Sequence, residues 1–333
     1  MSNAVEVKDL TKSFGTLLAV DHVSFEVKEK EIFGLLGPNG AGKTTSIRMI
    51  CGMLRPTSGT AVIEGNDVSQ NPLEVKRKIG LVPDVSNLFG ELSARVNLDF
   101  MGKLYDLDRK TRHRRIQEVL ELFQLKERQN DLVKFYSKGM HRRLTIAAAL
   151  LHEPQILIMD EPTSGLDAQT ARLLREIIVN LNREGRTILL TTHQIEEADR
   201  LAHRVGIIDH GRLIALDSPE ALKNSVEGTR ALQVKILNGV DQQHWIPIIK
   251  EAEGVDNVVL AEGKIRVLSK DMTQIIPSVV NLVTKNGGKI EDISVAEPSL
   301  EDAFISLTGK SIREETLSKE YSVRRRLSRS GMR

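Results

Sequence analysis

At 333 residues, 40% of them apolar and 28% charged, the chain has ordinary soluble globular composition and length for two domains, one large and one smaller. A net charge of +2 argues against a dedicated nucleic-acid binder, and no run approaches the roughly 18 apolar residues of a membrane span. The single cysteine, Cys51, excludes an intrachain disulfide, and the first residues lack a signal-peptide layout, so a cytoplasmic, reducing location is expected.

In chain order, the first strong signal is EIFGLLG, a strand-like apolar run, followed by GPNGAGKTT at residues 37 to 45. Gly37, Pro38, Asn39, Gly40, Ala41, Gly42, Lys43, Thr44 and Thr45 satisfy the P-loop pattern. Gly40 and Gly42 let the backbone curl so that several N–H groups point at one anion. Lys43 is placed to reach the β- and γ-phosphates, and the Thr44 hydroxyl to sit on Mg²⁺. The sequel has helical spacing at Ile47, Ile50 and Leu54, and Cys51 reads as a small core residue of that helix. The implied ligand is a nucleoside triphosphate.

Next, LSARVNLDFMGKLYDL and RRIQEVLELFQL carry apolar faces of helical period. The cluster Arg109, Lys110, Arg112, Arg114 and Arg115 reads as a solvated helix face, an anionic partner being the alternative. Ser137 begins a further helix whose packed face runs Leu144, Ala147, Ala148, Leu151. Then QILIMDEP has the form of a buried parallel strand delivering Asp160 and Glu161 to its carboxyl end. Asp160 would hold Mg²⁺ through its water shell, and Glu161 would polarise a water for attack on the γ-phosphate. TILLTTHQ is another strand, ending at His193.

After SPEAL, at residues 218 to 222, the pattern changes. RALQVKIL alternates as a strand, GVDNVVLAEGKIRVLS reads as a hairpin around Gly263, and a helix, turn and strand follow. In PSLEDAFISLTG, Ser299 and Asp302 fit a helix N-cap. Residues 311–333, with Arg324, Arg325, Arg326, Arg329 and Arg333, read as a mobile basic tail, either solvated or touching anionic lipid.

The order of these motifs resembles the ATP-binding subunit of an ABC transporter over roughly residues 4 to 225, in the drug-resistance and antibiotic-export (daunorubicin-resistance-like) subgroup. The resemblance implies an α/β fold: a P-loop ABC ATPase domain (residues 1–225) with a helical subdomain (about 88–150). A small α+β domain (226–310) and the tail (311–333) complete it. It implies Mg-dependent ATP hydrolysis coupled to transport, with Glu161 and His193 catalytic, His193 sensing the γ-phosphate. Phe14 stands where an aromatic stacks on adenine. Ser137, Lys138 and Gly139 stand in the signature that caps ATP bound to a second copy, head to tail. Ser164, Gly165, Leu166 and Asp167 stand in the loop that links the two sites across the dimer. ATP and Mg²⁺ are thus the expected ligands, and an integral membrane permease the expected partner, with nucleic acid not expected. Export is the implied direction, and placement on the inner face of the cell membrane follows from the permease.

Two positions depart from the family pattern. Asp84 replaces a glutamine that touches Mg²⁺ and relays to the permease. A carboxylate there can accept from metal-bound water, and that role is expected for it; the bland reading is a turn after Pro83. Lys138 and Met140 replace the usual glycine and glutamine of the signature; Lys138 either faces the partner's phosphates or points to solvent. The small C-terminal domain reads equally as a dimer contact, a regulator or a passive extension. The rival class is a soluble ABC ATPase acting on ribosomes or nucleic acid, against which stand one cassette, no sustained heptads and one cysteine. A third reading, a nucleotide switch that scarcely hydrolyses, is opposed by Glu161 and His193.

Overall fold

The computed structural model describes residues 2–225, 230–237, 242–261 and 263–309. The chain divides into two compact units, Met1–Leu216 and Asp217–Arg333.

The first unit begins with β1 (Asn3–Phe14), β2 (Leu17–Lys28), β3 (Ile32–Leu36), α1 (Lys43–Ile50), β4 (Ser58–Ile63) and β5 (Asn66–Asp67). It continues through α2 (Pro72–Lys78), β6 (Ile79–Val82), α3 (Ala94–Leu104), α4 (Arg109–Leu122) and α5 (Lys138–Ala149). After these come β7 (Ile156–Asp160), α6 (Ala168–Arg183), β8 (Thr187–Thr192), α7 (Ile195–Leu201), β9 (Arg204–Asp209) and β10 (Arg212–Asp217). One sheet has the order β2-β1-β4-β5 and is antiparallel. The other has the order β10-β9-β3-β8-β7-β6, and the pairs β9–β3, β3–β8, β8–β7 and β7–β6 are parallel.

β3, β7 and β8 are buried along their whole length, which is why they read as unbroken apolar runs. Because these strands are parallel, the segments leaving β3, β6, β7 and β8 all emerge at one carboxyl edge, where ligands bind in open sheets of this kind. One core group joins Leu98, Leu120, Phe123, Leu144, Leu174 and Leu190, and the other joins Leu10, Val27, Phe33, Ile47, Ile50 and Ile63.

Three expectations need correcting. The helix after the P-loop stops at Ile50, with Gly52 in a left-handed turn (φ 65°), so Leu54 packs on that core from a loop. The basic cluster of α4 is not a uniformly solvated face. Arg109, Lys110 and Arg114 are exposed, but Arg112 bonds Asp99 and Leu107 O. Arg115 is buried, donating to Leu150 O at 2.8 Å and Leu151 O at 3.2 Å, where α5 runs out of intrahelical partners. Finally, the division between units falls after Leu216 rather than 225, because α8 (Pro219–Asn224) packs on α11 (Leu300–Thr308) of the second unit. Cys51 is buried as expected, and desolvation pushes its thiol pKa up, which keeps it unreactive.

The second unit contains α8, β11 (Arg230–Leu237), α9 (Trp245–Lys250), β12 (Asn257–Ala261), β13 (Lys264–Ser269), α10 (Met272–Lys285), β14 (Lys289–Ala296) and α11. Its sheet order is β12-β13-β11-β14, all antiparallel, so two split β-α-β units interlock. The expected strand, hairpin, helix and strand are present. The tail at 311–333 lies outside the described residues. Ser299 and Asp302 form a reciprocal capping box on α11. Asp302 also accepts from the buried Arg266 of β13 at 2.5 Å, joining helix to sheet.

Removing one partner of a buried ion pair strands the other charge. Asp302→Ala is therefore expected to destabilise the second unit by about 3–5 kcal/mol. Denaturant titration followed by the fluorescence of Trp245, the only tryptophan and part of that unit's core, measures it.

Candidate functional site

The P-loop runs from the end of β3 into α1. Gly40 and Gly42 have φ of 81° and 106°, and Gly42 is the N-cap of α1. A Cβ at Gly42 would lie 2.6 Å from Ala19 O, so both conformation and space demand glycine there. The first N–H groups of α1 have no intrahelical carbonyl to bond, and they lie at the positive end of the helix. Lys43 folds back over the loop, donating from Nζ to Gly37 O at 2.6 Å and Pro38 O at 3.1 Å. These groups fit a polyphosphate: a backbone cradle with one buried cation set across it.

Asp160 and Glu161 arrive at the same edge from β7, and His193 from the end of β8. The Asp160 Oδ1 atom accepts from Thr44 Oγ1 at 3.1 Å and from Thr191 Oγ1 at 2.6 Å. A hydroxyl beside a buried carboxylate suits Mg²⁺, which takes few protein ligands and keeps several waters. Among the described residues no group of three or more His, Cys, Asp or Glu could by itself hold a metal ion.

Glu161 Oε2 accepts from His193 Nδ1 at 2.7 Å, while Oε1 faces Lys43 Nζ at 3.3 Å. Burial by itself would raise the Glu161 carboxyl, but His193 and Lys43 outweigh it and hold the pKa below the ordinary glutamate value. Glu161 is thus an ionised carboxylate in a nearly dry site. Its backbone is in the left-handed region (φ 51°), uncommon for a residue with a side chain.

The remaining expected residues divide. Phe14 is 49% exposed at the end of β1, with Lys12 Nζ 5.2 Å from its ring centroid; it is no core residue but an exposed aromatic ring. Ser137 caps α5, accepting from Met140 N at 3.2 Å, and Gly139 packs against Thr170. In a single copy, Ser137, Lys138 and Gly139 make no hydrogen bond or ion pair to the P-loop among the described residues. Lys138 does not simply extend into solvent: its Nζ lies 2.1 Å from where a Cβ on Gly165 would be, so the signature and the Ser164–Asp167 loop touch within one copy. Leu166 packs on the core, and Asp167 caps α6, accepting from Thr170 N at 2.9 Å. Asp84 is exposed beyond β6, and its carboxylate makes no hydrogen bond or ion pair with Thr44 or Asp160.

Sequence reasoning missed Thr191 and Arg142. Thr191 is a fully buried polar residue between Asp160 and the Glu161 backbone, whose N–H its Oγ1 accepts at 3.1 Å. Arg142 is a buried arginine one turn before core residue Ile146. The available signal was a polar side chain at an inward-facing position of an otherwise apolar element.

A parallel sheet whose carboxyl edge unites P-loop, carboxylate pair and histidine defines a P-loop ATPase domain. Residues 20–164 match the ABC transporter family model. The chain is 36% identical over 312 residues to the linearmycin resistance ATP-binding protein LnrL of Bacillus subtilis (strain 168), covering 93% of this chain and 100% of that protein. It is 37% identical over 311 residues to the bacitracin transport ATP-binding protein BcrA of Bacillus licheniformis, covering 93% and 98%. It is also similar to the solved ATP-binding subunit of an ABC transporter, with TM-score 0.62 and 31% identity, over 67% of this chain and 92% of that one. A dimeric post-hydrolysis cassette bound to ADP and Pi matches with TM-score 0.60 and 28% identity, over 64% and 98%. The chain belongs to the ABC transporter family, among its ATP-binding subunits.

The Glu161 geometry sets a pH expectation. A carboxyl held low in the native state stabilises the fold fully above its unfolded value of about 4.3 and ceases to do so as pH falls through the native value. His193→Ala removes a lowering partner and leaves the burial. The native Glu161 pKa then rises and acid unfolding begins at higher pH, as ¹³C NMR titration of the Glu161 carboxyl and circular dichroism would record.

Proposed function

We propose that this chain is the ATP-hydrolysing subunit of an export system. Two copies close head to tail on two MgATP, each held between one copy's P-loop and the other's α5 N-terminus. The observation that carries this reading is the meeting of Lys43, Glu161 and His193 at the edge where Thr44 and Asp160 also lie. Lys43 neutralises β- and γ-phosphate charge. The ionised Glu161 accepts a proton from the attacking water as its oxygen bonds the γ-phosphorus and the bond to the ADP oxygen breaks. His193 aligns Glu161 and contacts the γ-phosphate. Thr44, Asp160 and, through metal-bound water, Asp84 would hold Mg²⁺, which supplies charge neutralisation. Phe14 offers its face to adenine, and Ser137, Lys138 and Gly139 close on the partner's ATP.

A separate membrane permease completes the system. Among the described residues no helix is long and apolar enough to cross a membrane. On α3, Val96, Phe100 and Leu104 are exposed at spacings of four residues, an apolar stripe beside a cleft lined by Arg95, Arg109 and Lys110. The stripe suits a cytoplasmic segment of the permease. Outward transport is supported by relatives named for linearmycin resistance and bacitracin transport.

The deciding experiment purifies the chain from host membranes and measures Mg²⁺-dependent ATP hydrolysis beside Glu161→Gln. A multi-span protein should co-purify, and Glu161→Gln should lose activity by about 100-fold or more. Co-purifying ribosomes or nucleic acid instead would overturn the transporter assignment. Phe100→Glu should abolish co-purification of the permease while leaving ATP binding by the isolated chain unchanged; equal recovery with both forms would move the docking face elsewhere.

A further inference from the structure

Arg142 is a buried charge whose bonding has an unusual pattern. Its guanidinium makes no salt bridge among the described residues. All five N–H donors point at main-chain carbonyls instead. Nη2 donates to Asp160 O at 2.6 Å and Glu161 O at 2.8 Å, Nε to Pro162 O at 2.9 Å, and Nη1 to Pro83 O at 2.5 Å and Asp84 O at 3.4 Å. One side chain from α5 therefore spans two loops: the turn leaving β7 and the segment leaving β6.

The first of those loops is strained. Glu161 holds φ 51°, and such a backbone persists only where the surroundings over-determine it. On one side Thr191 binds the Glu161 N–H, through Oγ1 at 3.1 Å and its carbonyl at 3.2 Å. On the other, Arg142 takes the carbonyls of Asp160, Glu161 and Pro162 in succession. These two clamps set the direction in which the Glu161 side chain leaves the backbone. Only a rigid, planar, permanently charged fork offers five donors in this arrangement; a lysine has three, from a single atom.

We infer that Arg142 is the positioning residue for Glu161. It holds the strained turn that aims the carboxylate at His193 and Lys43, and it makes that aim depend on α5 and on the Pro83–Asp84 segment. Rotation of α5 or withdrawal of Pro83 removes carbonyl partners from the same guanidinium and releases the turn. The inference rests on Glu161 as the carboxylate that orients water, and it adds the device that switches it.

The test compares wild type, Arg142→Lys and Arg142→Met in the full chain, with rates expressed per site that binds a fluorescent ATP analogue, so loss of folded protein does not enter. The expected kcat falls roughly 100-fold, the scale of a small misplacement of a reacting group. KM for MgATP stays within about threefold, because the P-loop is untouched. In a Glu161→Gln background, Arg142→Lys should change the residual rate by less than about twofold, as its effect passes through Glu161. Wild-type kcat per binding site in Arg142→Lys would reduce Arg142 to packing and overturn the inference. If Glu161→Gln by itself hydrolyses ATP like wild type, the assignment of Glu161 fails independently of Arg142 and takes the inference with it.

Discussion

A carboxylate with almost no contact with water is ionised at the centre of this domain, and the arrangement around it follows from keeping it so. Burial favours the neutral acid, and His193 at 2.7 Å and Lys43 at 3.3 Å reverse that preference. Glu161 and His193 stand one residue past the ends of β7 and β8, and Lys43 opens α1 after the loop that leaves β3. They meet because β3, β8 and β7 are adjacent and parallel, with Leu36 opposite Thr192 and Asp160 opposite Thr191. A one-residue slip in the pairing of β7 with β8 would turn Glu161 and His193 away from each other. The ATPase chemistry of the family therefore depends on sheet register as much as on the motif residues themselves.

Buried polar side chains do work here that regular hydrogen bonding cannot. Strand ends and helix ends leave main-chain groups without ladder or intrahelical partners, and a dry site offers no water to satisfy them. Thr191 and Arg142 bond the main chain around Glu161, and Arg115 bonds the last carbonyls of α5. Helix α5 is consequently held near both ends by arginines while Ser137 caps its exposed start. Helix α5 is thereby coupled, through hydrogen bonds from the Arg142 side chain to main-chain carbonyls, to the segments leaving β6 and β7. The second unit uses the same device once, where Arg266 of the sheet meets the capping carboxylate of α11.

The sequence by itself determined the P-loop, the carboxylate pair, the histidine and the βαββαβ pattern of the second unit. Each is a local signal: a glycine turn between strand and helix, an apolar run ending in acid, an alternation broken at Gly263. Motif order then sufficed for the family, which the relatives bear out. What tertiary structure decided were matters of partnership. The helical period could not say that the helix ends at Ile50, because Leu54 keeps the apolar spacing and packs on the same core after the chain has turned at Gly52. Nor could composition separate Arg109 and Lys110, which face water, from Arg112 and Arg115, which bind carbonyls and a carboxylate. Phe14 could be placed on a strand, but only the fold left its ring exposed. Arg142 carried no motif at all, since its role lies in carbonyls contributed by residues about 20 and 59 positions away. Covalent neighbours set backbone conformation and apolar period, whereas charge state and bonding depend on groups that only folding brings within a few ångströms.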